Sequence, residues 1–202
     1  MKKLFAAMLC VVILATLCIV SVSAATTHTV VSGDTMWKIA TRYEVGLSEI
    51  KSANPHITNP DLIYPGQVLN IPTGDSSMLA FEKEVVRLVN EIRAKNGLGE
   101  LTYDWELSRV ARYKSQDMHD NRYFSHTSPV YGTPFQMIKS FGISYRSAGE
   151  NIAKGYTTPQ AVVNGWMNSS GHRANILNAS FTHIGVGYVK DGNYWTQMFI
   201  GK

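Results

Sequence analysis

Cysteine is nearly missing from these 202 residues: there are two, Cys10 and Cys18, both among the first 20. The rest of the chain therefore has no disulfide scaffold to lean on. Charge is also sparse, at 17%, and forms no long run of one sign. Two of the 19 basic residues, Lys2 and Lys3, stand at the very start, and the remainder nearly balances the 15 acidic ones. Nothing in that balance points to nucleic acid as a partner. Beyond residue 25 no stretch is apolar enough to span a bilayer. What is present is a 45% hydrophobic composition, which excludes a disordered polyelectrolyte and suffices for one medium domain or two small ones.

The apolar run from Leu4 to Val20 follows the two lysines and ends in Ser21-Val22-Ser23-Ala24-Ala25. A charged start, an apolar middle and small residues at the end are the parts of an export signal, expected over residues 1–25 with cleavage after Ala24 or Ala25. The alternative is a retained membrane anchor, and the small-residue end favours cleavage. Cleavage removes both cysteines. An exported chain without disulfides reads as a bacterial wall or surface protein held together by packing.

Residues 28–72 read as one βααβ unit. Thr29-Val30-Val31 predicts a strand, and Asp34 or Thr35 can cap a helix that carries Trp37, Ile39, Ala40 and Tyr43 toward a core. Ser48 can cap a second helix through Ile50 and Ala53. Asn54-Pro55, Asn59-Pro60 and Tyr64-Pro65-Gly66 are turns, and Val68–Ile71 closes as a strand. Thr73–Ser77 reads as a short polar linker. From residue 78 to 202 the pattern changes. Phe81, Val85, Leu88, Val89 and Ile92 recur at helical spacing, and Asp104 can cap a helix with Leu107, Val110, Ala111 and Met118. Thr133-Pro134 and Thr158-Pro159 look like helix starts. Residues 184–189 and 194–199 predict strands joined by an Asp191-Gly192-Asn193 hairpin. The whole is α+β, and the mix of helices with a late antiparallel hairpin suggests layers.

The segments His28–Ala40 and Asn54–Pro72 together resemble a LysM domain, and the wording of the second is similar to LysM modules of spore-coat assembly proteins. The resemblance implies binding of glycans that contain N-acetylglucosamine, peptidoglycan or chitin, in a groove between two loops. Carried over, one loop is Gly33, Asp34, Thr35 and Met36, and the other is Asn59, Pro60, Asp61, Leu62, Ile63 and Tyr64. Backbone groups there can pair the acetamido amide while Met36 and Ile63 cover its methyl. The alternative is that these residues merely make the turns the fold demands. With Lys38, Arg42 and Lys51 against Asp34, Glu44, Glu49 and Asp61 the unit is nearly neutral, so charge does not drive capture.

Phe124–Pro129, Gly149–Ala153, Trp166–Leu177 and Ile184–Tyr188 resemble the bacterial, disulfide-free form of the CAP superfamily (cysteine-rich secretory, antigen 5, pathogenesis-related). That resemblance implies an αβα sandwich with a cleft of two His and two Glu that holds a divalent metal in some members. By motif position His126 and His172 match the histidines and Glu150 one acid, while Ser169 stands where the other acid belongs. The incomplete set makes zinc the metal to expect, if any. The bland reading of the same residues is loop orientation by His126, backbone bonding by Glu150 and helix capping by His172. His28, His119 and His183 read as ordinary surface histidines, and Trp166, Tyr188, Trp195 and Phe199 as core. Ser125 or Ser169 can be written into a triad with His172 and Glu150, but no nucleophile-elbow motif frames either.

The sequence therefore predicts an export signal (1–25), a LysM domain (28–72), a linker (73–77) and a CAP domain (78–202). The leading expectation is a secreted, wall-associated protein that binds peptidoglycan and presents the CAP domain at the wall or spore envelope, with spore-coat or wall proteins as further partners. No catalytic activity is assigned. The alternative is a metal-assisted hydrolase acting on a wall component or peptide through His126, Glu150 and His172.

Overall fold

The computed structural model describes residues 26–202, so the expected export segment lies outside the described residues. The chain begins with β1 (Thr26–Thr29), which pairs antiparallel with β2 (Val68–Ile71) in the register Thr26↔Ile71 and Thr29↔Val68. Between them lie α1 (Met36–Arg42) and α2 (Leu47–Ala53). The first strand thus falls earlier than Thr29–Val31. Val30 continues the pairing by donating its N–H to the Gln67 carbonyl, and Val31 already belongs to the turn.

A seven-residue helix has room for one buried stripe, and the stripe here is Met36, Ile39 and Ala40 with Tyr43 beyond it. Trp37, one residue off that stripe, is 54% exposed, which corrects its expected place in the core. Thr35 caps α1, its hydroxyl accepting from the Lys38 N–H at 3.2 Å. Ser48 does not cap α2. The N-cap is Gly46, the helix has already begun at Leu47, and the Ser48 hydroxyl instead donates to Glu49.

Asp75 caps α3 (Ser76–Lys95) by accepting from the Ser77 N–H, so Ser76 and Ser77 are helical and the irregular connection shrinks to Thr73–Asp75. A four-stranded sheet follows in the order β3 (Thr102–Tyr103), β5 (His183–Val189), β6 (Tyr194–Gly201), β4 (Ser147–Lys154), with β3 parallel to β5 and the other pairs antiparallel. One face of the sheet packs α4 (Trp105–Asp120) and α5 (Pro134–Ser140) against Met198 and Ile200. The other packs α3, α6 (Pro159–Asn168) and α7 (Ser170–Ile176) against Val186, Trp195 and Phe199. This is the expected αβα sandwich. Thr133 forms a full capping box with Gln136 at the start of α5, and Thr158 caps α6. Trp166, Trp195, Tyr188 and Phe199 are all buried, and Tyr188 stacks on Trp195 at 3.9 Å between ring centres. Among the described residues no helix is long and apolar enough to cross a membrane.

Candidate functional site

The first candidate site is the pair of loops beside the β1–β2 ribbon. Gly33 sits at φ +86, a conformation that favours glycine, and its carbonyl accepts from Lys38 Nζ at 2.8 Å. Asp34 is committed to the fold. Its Oδ2 accepts from the Val31 N–H at 3.1 Å and lies 2.7 Å from His28 Nε2, and Oδ1 accepts from Arg42. The His28 hydrogen bond, then the one from Val31, hold the Asp34 carboxyl below the usual range. His28 is accordingly no ordinary surface residue: its other nitrogen meets the Tyr43 hydroxyl at 3.1 Å, and its ring is largely covered. Strand-start histidines have no side-chain pattern of their own, so only the tertiary contact could place it.

Across from this turn, Asn59 Oδ1 accepts from the Asp61 N–H at 3.1 Å, and Gln67 Oε1 accepts from the Tyr64 N–H at 2.7 Å. The loop is thereby fixed while Asn59, Asp61, Leu62 and Tyr64 stay exposed and Pro60 and Ile63 are half-buried. Met36 and Ile63 belong to one apolar cluster, which brings the two loops together. Met36 is itself buried in that cluster, so its side chain offers no open contact. The N–H groups of Thr35 and Ile63 have no partner among the described residues.

The second candidate site lies at the edge strand β4. Glu150 points to the α4 side of the sheet, and its Oε1 is 2.7 Å from Nδ1 of His126, which follows α4 in a loop. The carboxylate is 2% exposed and the imidazole 54%. The carboxyl engages Nδ1, which leaves Nε2 of the half-exposed ring without a partner among the described residues. Burial raises the Glu150 carboxyl above its ordinary range, against the opposing pull of the His126 hydrogen bond and the Lys114 charge. His172, in α7, stands near enough to His126 for the two to repel as cations. Burial first, and that repulsion second, lower its pKa. Ser169 forms the extended joint between α6 and α7. Among the described residues no hydrogen bond joins Ser125 or Ser169 to His126 or His172, and Ser125 Oγ is occupied by the Thr127 N–H.

Two supporting residues escaped the sequence reading. Lys114 is fully buried, and its Nζ donates to the His126 carbonyl at 2.9 Å and the Tyr123 hydroxyl at 3.0 Å. The Tyr123 hydroxyl in turn bonds Asp117, which also receives Ser128 Oγ at 2.7 Å. The signal was there: Lys114 interrupts the apolar stripe of Leu107, Val110, Ala111 and Met118 at core spacing. Asn151, next to Glu150, faces the other side of the sheet. Its Nδ2 donates to the His172 carbonyl at 3.1 Å and to Gln197 Oε1 at 2.9 Å, tying α7 to the sheet.

Of the expected set, His126 and His172 lie near each other, with Glu150 behind His126. One Glu150 oxygen is held by His126, the other is buried without a partner, and the Lys114 ammonium lies close by. Among the described residues no three His, Cys, Asp or Glu side chains are grouped to hold a metal. Glu150 is placed to orient His126.

The fold and the pieces of the cleft define the class. The chain belongs to the cysteine-rich secretory protein (CAP) family, whose model matches residues 86–200, and it carries a LysM domain over residues 28–72. The chain is 65% identical over 127 residues to YkwD of Bacillus subtilis (strain 168), covering 63% of this chain and 49% of that protein. A further match, to the spore coat assembly protein ExsA of Bacillus cereus, is 46% identical over 46 residues, 23% of this chain and 7% of the relative. An extracellular protein containing a SCP domain from Bacillus anthracis str. Ames superposes with a TM-score of 0.60 at 37% identity, over 68% of this chain and 47% of that one. The chain thus spans half or less of each of these relatives.

Proposed function

We propose that this chain is an exported bacterial protein that grips N-acetylglucosamine-containing glycan, peptidoglycan, through its LysM loops and presents its CAP domain at the cell wall. The observation that carries this reading is the junction of the loops. A half-buried Ile63, packed on the apolar cluster that includes the buried Met36, is flanked by exposed Leu62 and Tyr64, and the N–H groups of Thr35 and Ile63 have no partner among the described residues. An acetamido group needs an apolar cover for its methyl and a donor for its carbonyl, and this junction offers both. One shallow groove binds weakly, and a repeating polymer compensates through rebinding along the strand. Likeness to a spore coat assembly protein supports the spore envelope as the finer setting. Residues 26–202 are expected to sediment with purified peptidoglycan at several salt concentrations, and Ile63→Asp to stay in the supernatant. Failure of the unaltered chain to sediment rejects the reading.

A second reading is supported by the His126–Glu150 pair: a hydrolytic cleft in which His126 Nε2 acts as a general base without a metal. It expects turnover of a muropeptide or peptide that survives chelators and is lost in His126→Ala. No turnover on either substrate class removes it.

A further inference from the structure

The two modules touch through a contact built around a single carboxylate. Glu49, in the first turn of α2, uses both oxygens. Its Oε1 accepts from Arg109 Nε at 2.6 Å and from the Tyr113 hydroxyl at 2.8 Å, and Oε2 accepts from Arg109 Nη2 at 3.0 Å and from Ser48 Oγ at 2.7 Å. Arg109 and Tyr113 lie one turn apart on α4 of the second module. The guanidinium is further held over two rings, 5.0 Å from the centre of Phe141 and 5.6 Å from that of Tyr113. A planar fork meeting a carboxylate on two parallel bonds, backed by aromatic faces, is the arrangement in which arginine positions a partner most firmly.

Gly46 leaves room for this same approach. Its φ of −73 suits any residue, so backbone conformation does not require glycine there. Space does: a Cβ at Gly46 would lie 1.9 Å from Glu49 Oε2 and 2.3 Å from Arg109 Nε. A weaker contact stands beside the first, where Glu44 Oε2 lies 3.5 Å from the Tyr103 hydroxyl and 3.7 Å from Lys83 Nζ. Between these contacts and the Thr73–Asp75 connection remains a cavity of about 580 Å³, walled by Val45, Met78, Leu79 and Tyr188. Among the described residues no hydrogen bond or ion pair joins the loops 33–36 and 59–64 to the second module, and Leu62 and Tyr64 remain exposed.

We infer that Arg109, Tyr113 and Phe141 form a receptor for Glu49 that clasps the two modules into one body, with the LysM loops left open. The short Thr73–Asp75 tether alone would let the modules reorient; the clasp fixes the direction in which the His126 cleft is presented relative to the loops. The clasp needs no glycan, so it stands or falls separately from the glycan reading.

The test is ¹⁵N relaxation of residues 26–202 in the absence of any glycan. The unaltered chain is expected to give one rotational correlation time for both modules. Glu49→Ala and Gly46→Ala should give two separate times, and cleavage by a protease at residues 73–75 should speed up about tenfold. Arg109→Met removes the clasp from the other side, so a folding defect in either module cannot decide the result alone. Glu100→Gln, an exposed carboxylate of the second module outside this contact, should leave the single correlation time unchanged. Two distinct times in the unaltered chain, or a single time retained in all three clasp variants, would overturn the proposal.

Discussion

Lys114 sets the character of the cleft although it never reaches its surface. Its ammonium is fully buried, holds the His126 carbonyl and the Tyr123 hydroxyl, and lies beside Glu150 and Asp117. Burial lowers the Lys114 pKa, and the two carboxylates pull against that shift. Lys114→Met should cost about 2–4 kcal/mol in urea unfolding, because it leaves buried acceptors without their charged donor. The same change should raise the Glu150 pKa further, read from its carboxyl carbon shift by NMR, since the cation that favours the carboxylate is gone. A loss below about 0.5 kcal/mol, the range of neutral surface changes, would show that the lysine merely fills space. The same scale explains why Asp34 serves the fold of the glycan loop. A carboxylate that already accepts from Val31, His28 and Arg42 has little left to offer a sugar.

At the scale of elements, the second module turns on the packing of α4 against β5. The run Ile184-Gly185-Val186-Gly187-Tyr188 alternates, with Ile184, Val186 and Tyr188 sent into the core on the α3 side. The glycines face α4, whose backbone lies so near that a Cβ at Gly187 would stand 2.1 Å from Arg112 N and one at Gly185 2.4 Å from Ser108 N. Neither has a positive φ, so close approach alone explains them. Gly187→Ala should therefore destabilise by about 3 kcal/mol, measured by thermal or denaturant unfolding, because backbone cannot step aside as a side chain can. The seam also carries polar pins. Ser108 Oγ accepts from the Val186 N–H at 3.0 Å, and Ser115 Oγ donates to the Gly187 carbonyl at 3.0 Å. Because this seam fixes α4, it also fixes the lysine beneath the cleft and the arginine of the clasp.

For the whole molecule, pH dependence follows from the clasp. Hydrogen bonds from Arg109, Ser48 and Tyr113 keep the Glu49 carboxyl below its usual range in spite of burial, the largest single influence, which acts upward. A depressed carboxyl contributes above its unfolded pKa and is lost as pH falls through the folded value. Coupling between the modules should thus be flat from neutral pH to about 4.5 and fail below that, with correlation times by NMR as the readout. Glu82, buried under Arg112, runs the other way. Burial pushes its carboxyl up to about 7, so its contribution opposes the folded state as pH rises from the ordinary glutamate range toward 7. Acid release of the modules with the second core still folded is the expected sequence of events on lowering pH.

Local chemistry alone determined much of this. Helix starts at Asp104, Thr133 and Thr158, the Asp191–Asn193 hairpin, the buried Trp166 and Trp195 and the division into a βααβ unit and a larger α+β unit all follow from caps, turn residues and periodicity, which act over a few neighbours. The loop residues 33–36 and 59–64 and the set His126, Glu150 and His172 come instead from the resemblance of their motifs to the LysM and CAP families. What tertiary structure alone decided is which of those side chains are free. Trp37 faces outward because a short helix buries one stripe. Met36 is covered because the core of the first module closes over it, and Glu150 supports His126 because the sheet seals it. The Glu49–Arg109 clasp spans 60 positions of sequence, and pairs that far apart leave no pattern in the chain. Only the folded geometry, which sets distance and access to solvent, can distinguish a group that meets a partner from one that holds another in place.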